Sequence, residues 1–225
     1  MPRKEAKRAA EATSSKKAKA ESSAPSKKRK AESSQPDTQK PEFEDWRSPL
    51  YYWHGTIVTG GDGVTVWEGT WIASEDGLPT PAEFEASHNT FRLQSSDFLD
   101  RDGVPLEAHC PYGRRGDFTG SFKLNNDGRG FANYSDIEHR IVFKNHSAGW
   151  LLVGARGLAE FGEFVSAGRL TFPQGNSPAY LTLARRYLIP DDPRIQLGAW
   201  EMLLHIERNM EGREAPWKQL TSSGG

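Results

Sequence analysis

The sequence predicts a mainly β fold: an antiparallel up-and-down β-barrel of about 8–9 strands, followed by a C-terminal α-helix and preceded by a disordered basic arm. Short stretches that alternate bulky and polar residues are separated by turn sequences, which is typical of antiparallel strands. Glycines recur inside these stretches and indicate a strongly curved, closed sheet. One late stretch has helical spacing instead.

The segment Val64–Ala73 is the clearest strand. Trp67, Gly69 and Trp71 share one of its faces, because alternate residues of a strand point the same way. A glycine between two indoles indicates that a ring or the backbone of another strand packs closely there. Trp53–Val58 begins with the same Trp-x-Gly-Thr pattern and is predicted to be the hairpin partner of this strand.

The other strands and loops follow from the same pattern. Residues 74–87 are predicted to form a long loop with a helical turn near residues 82–86, and residues 95–116 a second loop rich in Asp, Gly, Pro and Arg. The further predicted strands cover residues 88–94, 117–124, 137–144, 150–155, 160–166, 168–172 and 179–188, with a short additional strand at residues 130–135.

The C-terminal helix is predicted over residues 193–211. Asp192 is a suitable cap and Pro193 a suitable first helical residue. An apolar stripe at helical spacing follows, and we interpret it as ordinary core packing rather than as a face for a partner. We therefore expect the helix to pack on the outside of the sheet or across one opening, with Trp217 folding back after it. The stripe consists of Ile195, Ala199, Leu203, Ile206 and Met210.

Charge divides the chain into two parts, which we take as its domains: an arm, residues 1–40, and a barrel domain, residues 41–225. The arm has 12 Lys and Arg residues but only 5 Asp and Glu, a net charge of +7. The rest of the chain has 17 basic and 25 acidic residues, a net charge of −8. Attraction for phosphate therefore lies in the arm, where it predicts weak contact with nucleic acid, and not in the barrel.

The arm contains no Phe, Trp, Tyr, Leu, Ile or Val, so it cannot bury enough surface to offset the entropy of ordering, and we predict that it is disordered. Its two basic clusters resemble a nuclear import signal, which implies an import receptor as a partner and a nuclear location. The alternative is a solvated tail that only improves solubility. The clusters are Lys16 and Lys17, followed by Lys27, Lys28, Arg29 and Lys30.

Cysteine content and hydropathy limit the cellular compartments in which this chain is expected. Cys110 is the only cysteine, which excludes an intrachain disulfide and fits a reducing compartment. The chain has no apolar run of about 18 residues or more, so no membrane-spanning helix is expected. No apolar stretch follows the basic N-terminus, so no secretory signal is expected.

The sequence contains no motif that predicts catalysis, a cofactor or a metal. It lacks a phosphate-binding glycine loop, a dinucleotide fingerprint and a His-Glu-x-x-His zinc motif. His109 and Cys110 are adjacent, but adjacent residues of a strand point to opposite faces, so we interpret the pair as structural. Four arginines are candidates for contact with a ligand or, as is commoner in proteins, for a structural ion pair: Arg114, Arg115, Arg185 and Arg186.

Trp67-x-Gly69-x-Trp71 resembles the signature of the calycin superfamily, which includes lipocalins and avidins. The resemblance implies a closed β-barrel in which a signature Trp packs at the closed end under an Arg from a late strand. Arg185 or Arg186 would be that Arg. A helix after the last strand is also similar to lipocalins, whereas the strand predicted before the signature is not, since lipocalins begin with the signature strand.

Three functions remain open. The leading interpretation is a nuclear, non-enzymatic binding module whose barrel recognises a protein partner. The alternative is a calycin-like small-ligand-binding protein, which needs a hollow barrel and is disfavoured if large rings fill the interior. An enzyme is least favoured, since it needs polar groups that converge in a cavity, such as His109 with Arg114 and Asp117. The rings that decide between the first two are Trp53, Trp67, Trp71, Phe118, Phe122 and Trp150.

Overall fold

The computed structural model describes residues 46–98, 114–125, 130–146, 149–172, 177–210 and 215–221, without the side chains of Arg114, Asp136 and Ile137. The arm, with both of its basic clusters, lies outside these residues, so its disorder and its import signal stay predictions. His109 and Cys110 also lie outside them.

Eight antiparallel strands of the described chain pair in sequence order, and the last pairs with the first, which closes the sheet into a barrel. The predicted fold class is therefore confirmed. A short helix, α1 (Pro81–Ala86), lies where a helical turn was predicted. The strands are β1 (Leu50–Thr59), β2 (Thr65–Ser74), β3 (Thr90–Ser95), β4 (Arg114–Asn125), β5 (Phe131–Asn145), β6 (Leu151–Ala159), β7 (Gly162–Thr171) and β8 (Ala179–Tyr187).

Strand β5 joins two segments that the sequence predicts as separate strands, residues 130–135 and 137–144. The register between β5 and β6 shifts between Asp136 and Glu138. A bulge of this kind takes up one extra residue and reverses the alternation of side chains without ending the strand. The alternation of residues changes at this bulge, and the prediction of two separate strands there was wrong.

Strand β7 likewise joins residues 160–166 and 168–172, because Gly168 does not end the strand. A β-carbon at Gly168 would overlap the carbonyl oxygen of Thr182 on β8. The glycine therefore allows close approach of two paired strands rather than a turn.

The close approach predicted at Gly69 occurs between β1 and β2. Gly69 lies directly opposite Gly55 in the ladder. A β-carbon on Gly55 would overlap the carbonyl oxygen of Glu68, and one on Gly69 would overlap that of His54. The backbones of the two strands are thus closer at this pair than a residue with a side chain permits.

The C-terminal helix predicted over residues 193–211 is interrupted. Pro193–Gln196 form only a 3₁₀ turn, and helix α2 (Ala199–Asn209) begins after it. Leu197 is extended, and its carbonyl accepts a hydrogen bond from Arg156 Nη1 at 3.0 Å. This contact holds the carbonyl out of a helical ladder, so the prediction of one continuous helix was wrong.

Helix α2 packs on the outside of the barrel, against β6. Its buried residues are Ala199, Met202, Leu203 and Ile206, close to the predicted stripe. Gly154 of β6 makes room for the helix, since a β-carbon there would lie 2.7 Å from Cβ of Leu203. Trp217 folds back and is buried in the same outer core, as predicted. No helix in the described ranges is long and apolar enough to cross a membrane.

Candidate functional site

Large aromatic side chains fill the barrel. Five of the six rings that decide whether it is hollow belong to its interior core and are at most 5% exposed: Trp53, Trp67, Trp71, Phe118 and Phe122. Trp53 stacks on Trp71 at 6.1 Å between ring centroids and meets Phe91 at 4.8 Å. Trp150 instead lies outside the barrel, stacked on His146. Close packing of this kind leaves little room for a large apolar ligand.

Arg185 is the only Lys, Arg, Asp or Glu that is buried among the described residues. Alternation along β8 turns it inward, because Leu183 and Tyr187 on either side belong to the interior core. Its guanidinium carbon lies 4.0 Å from the ring centroid of Trp53 and 3.7 Å from that of Phe164. A desolvated guanidinium between aromatic faces gains about 2 kcal/mol or more from the ring quadrupoles.

Two polar groups of the interior also contact this guanidinium. Arg185 Nη1 donates to the Tyr187 hydroxyl at 3.3 Å, and Nη2 lies 3.4 Å from Nδ1 of His139. A guanidinium can only donate, so Nδ1 of His139 is the acceptor in this contact. Trp67 packs against the same imidazole, 5.8 Å between ring centroids. Arg185 is thus enclosed by aromatic and imidazole rings.

Three interior donors have no hydrogen-bond partner within the described part of the chain: Trp53 Nε1, Trp67 Nε1 and Ser166 Oγ. Ser166 of β7 lies directly opposite Arg185 in the ladder. A buried donor without a partner costs about 1–3 kcal/mol, and proteins usually satisfy such groups with water or a small polar ligand. The interior beside Arg185 is therefore the place in the barrel where a small polar molecule has donors to bind.

The candidate arginines whose side chains the structure describes, Arg115, Arg185 and Arg186, do not form one site. Arg115 is exposed and lies 3.4 Å from the Asp117 carboxylate, and Arg114 begins β4. Arg186 points outward, where its charge adds to the hydrogen bonds from Arg194 that lower the pKa of Asp192. Of the three arginines whose side chains the structure describes, Arg185 alone reaches the interior. It is the one of the four for which the structure gives a buried, ring-lined environment.

The arginine expected from the calycin resemblance lies over a different tryptophan. Arg185 covers Trp53 of β1 and not the tryptophans of β2. The first and last strands pair, with Tyr51 opposite Arg185, so an inward arginine on β8 is next to the inward residue Trp53. The Trp-x-Gly-Thr pattern on β1 was visible in the sequence. What could not be read there was which copy of the pattern faces the arginine.

A polar cleft lies on the outside of the barrel, beside the beginning of α2. Its volume is about 260 Å³. We call it the outer cleft. It is lined by Glu138, Arg140, Arg156, Gly157, Leu158, Glu163, Gly198 and Ala199.

Charges in the outer cleft are balanced within the protein. Arg156 Nη2 lies 2.8 Å from the Glu163 carboxylate. Arg140 donates to Asp117 at 2.8 Å and lies 3.3 Å from Glu138, and the Asp117 contact raises the pKa of Arg140. The cleft therefore presents paired charges of both signs, next to Leu158, which is 40% exposed. Such a mixture suits a polypeptide surface better than a free anion or an apolar ligand.

His54 and Thr182 are the described residues whose contact most resembles a base and a nucleophile. His54 Nδ1 lies 2.7 Å from Thr182 Oγ1. Burial, and to a smaller extent the charge of Arg169, lowers the pKa of His54. However, the rings of Phe84 and Tyr180 cover the imidazole, and Thr182 is buried. The pair therefore has little access to a substrate, and we interpret it as structural.

The described residues contain no group of three or more His, Cys, Asp or Glu that could hold a metal ion.

Comparison with protein-family models, with curated protein sequences and with solved structures finds no match to this chain.

Proposed function

We propose that this protein is a nuclear, non-enzymatic interaction module. The arm directs the chain to the nucleus through an import receptor and adds weak, salt-dependent contact with nucleic acid. The outer surface of the barrel binds a protein partner. The observation that carries this proposal is the filled interior: because Trp53, Trp67 and Phe118 are fully packed inside, recognition takes place outside.

The outer cleft is the proposed contact point for the partner. It combines an exposed leucine with ion pairs that can exchange partners at a polar rim. Interfaces of this composition are typical of proteins that also exist unbound.

Import is tested by neutralising the second basic cluster. The chain is fused to a reporter too large to diffuse through nuclear pores, and Lys27, Lys28, Arg29 and Lys30 are replaced by Gln. We expect loss of nuclear accumulation. The matched control replaces Arg3, Lys4, Lys7 and Arg8, which removes the same charge from the same arm. Import that survives the first set of changes, or fails equally in the control, would contradict a specific signal.

Partner binding is tested on the full chain by affinity capture and quantitative mass spectrometry. Leu158→Glu places a charge at the outer cleft, and we expect it to remove one particular captured protein. Val58→Glu is the matched control, because Val58 is also an exposed apolar residue of a strand, at 51% exposure, and does not line the cleft. If the captured proteins are the same for all three chains, the cleft is not the contact point.

A second candidate function is a calycin-like protein that holds a small ligand inside the barrel. Trp53 under Arg185 is similar to the tryptophan and late-strand arginine of that superfamily, and Trp67 Nε1 and Ser166 Oγ add donors. Titration of tryptophan fluorescence with oleic acid separates the candidates. A filled barrel predicts no saturable change, whereas saturable quenching favours the carrier.

A further inference from the structure

Strand β5 extends beyond its neighbour at one end of the barrel. The ladder with β6 starts at Asp136 opposite Ala159. Residues Phe131–Ser135 precede that point and pair only with β4 in the described structure. We call Phe131–Ser135 the β5 overhang. Phe131, at its tip, is 58% exposed.

Along the β5 overhang, the amide and carbonyl groups of successive residues point alternately towards β4 and away from it. Directly opposite residues of an antiparallel pair either face each other with both polar groups or both face away. The Lys123 carbonyl accepts from Trp71 Nε1 at 3.0 Å, and the Asn125 amide donates to Asn89 Oδ1 at 2.8 Å. Both contacts lie on the side of β4 that is remote from β5.

The partners of these two β4 residues must therefore also face away. Lys123 lies opposite Asn133, and Asn125 lies opposite Phe131. The amide and carbonyl groups of Asn133 and Phe131 are thus directed to the outer edge of β5. On that edge, Ser135 donates from its amide to Glu160 Oε1 at 2.8 Å. No described residue bonds the backbone of Asn133 or Phe131 there.

The outward backbone groups on the two edges of the β4–β5 hairpin therefore differ in whether they have hydrogen-bond partners. The β4 edge is closed by the side chains of Trp71 and Asn89. On the β5 edge, Glu160 covers only the Ser135 amide and leaves the backbone groups of Phe131 and Asn133 open, and the overhang has no Lys, Pro or bulge, which are among the features that usually protect a strand edge from pairing with another chain. An open edge of this kind is a template for a further strand.

We propose that the β5 overhang pairs with the β5 overhang of a second copy of this chain, in antiparallel register about Asn133. The sequence Phe-Ala-Asn-Tyr-Ser carries no charge, so like charges do not meet across the pair. The whole chain has a net charge of only −1, so repulsion between two copies is small.

This register satisfies the amide and carbonyl of Asn133 and the amide of Phe131, while the Phe131 carbonyl stays in water at the end of the pair because Glu160 holds the Ser135 amide. Asn133 faces Asn133 of the other copy, and their amides and carbonyls bond reciprocally. The amide of Phe131 faces the carbonyl of Ser135 on the other copy, which Glu160 leaves free because it holds only the Ser135 amide. The contact is short, so it belongs to the small, weak class of interfaces and forms a dimer that dissociates on dilution.

The first test is sedimentation velocity of the full chain over about a hundredfold range of concentration, which covers weak association. We expect the wild type to shift from monomer to dimer. Asn133→Pro removes the outward amide without breaking the ladder to β4, and we expect it to stay monomeric. Asn133→Ala removes only the side chain, and we expect it to dimerise like the wild type.

The second test measures the register with spin labels. In a Cys110→Ser background, a label at Asn133→Cys lies next to its own copy, with Cα atoms about 5.5 Å apart, and gives strong dipolar broadening. A label at Ser135→Cys is displaced by about 13 Å along the strand from its own copy and gives distinctly weaker broadening, because the dipolar interaction falls with the cube of the distance. A wild type that is monomeric throughout, a dimer that persists in Asn133→Pro, or equal broadening at both positions would overturn the proposal.

Discussion

The guanidinium of Arg185 lies between the indole of Trp53 and the ring of Phe164, 4.0 Å from one ring centroid and 3.7 Å from the other. The relationship joins the first strand of the barrel to the last two. Because the side chain is buried, the stacking is not weakened by water. The interior is therefore held by a planar cation as well as by apolar packing.

Replacement of Arg185 by Lys tests this stacking. Lys keeps the charge but has a compact ammonium that cannot lie flat on two rings. We expect the free energy of unfolding, measured with urea, to fall by about 2 kcal/mol. Arg92→Lys is the control: Arg92 is exposed and pairs with Glu68 at the surface, so its change should stay within about 0.5 kcal/mol. Equal effects at the two positions would show that the rings around Arg185 contribute nothing specific.

The close approach of β1 and β2 at their glycine pair predicts that alanine substitution lowers stability at Gly55 but not at Gly61. Gly55→Ala forces a methyl group into the Glu68 carbonyl, so the strands must separate, and we expect a loss of about 1–3 kcal/mol in the free energy of unfolding. Gly61→Ala is the control, because no atom lies within 4 Å of a β-carbon there. We expect that variant to be neutral or slightly stabilised. A tolerated Gly55→Ala would refute the close approach.

The packing of α2 on β6 predicts the effect of shortening its buried side chains. Leu203 is fully buried and faces Gly154, so Leu203→Ala should cost about 2–5 kcal/mol. Leu204 is the next residue and only half-buried, which makes Leu204→Ala a matched control with a smaller loss, about 1 kcal/mol. Chemical denaturation followed by circular dichroism measures both. If Leu204 proves the more sensitive position, the helix is rotated from the described orientation.

His54 predicts a fall in stability on mild acidification. Burial lowers its pKa from the ordinary value of 6.5, so the unfolded chain binds the proton more readily than the folded chain. Its contribution is fully present above pH 6.5 and is lost as the pH falls towards the lowered pKa of the folded state. We expect the urea midpoint of the wild type to drop between about pH 7 and pH 5.

The variant His54→Gln should flatten this pH dependence. His88→Gln is the control, because His88 is exposed. Measurements stay above about pH 5, so that carboxylates do not contribute; the pKa of Asp192 is itself lowered by Arg194, and its contribution is lost only in more acidic solution. An unchanged slope in His54→Gln would mean that another group titrates.

Several elements of the barrel could be predicted from the order of residues. The predictions that were wrong have physical causes. The alternation of Trp67, Gly69 and Trp71 identified a strand with one buried face, and that face is buried. The breaks predicted within β5 and β7 were wrong, because a bulge and a close strand approach resemble turns in a sequence. The helix start at Pro193 was wrong, because the contact between Leu197 and Arg156 involves residues distant along the chain.

The sequence by itself determined the architecture of the described barrel: period-two alternation specifies which face of each strand is buried, and recurrent glycines specify curvature. Only the tertiary structure decided which arginine is inside, which tryptophan it covers and which strand edge stays open. Those outcomes depend on register and on strand lengths in space. Register is set jointly by strands that are far apart along the chain, and no local pattern of residues contains it.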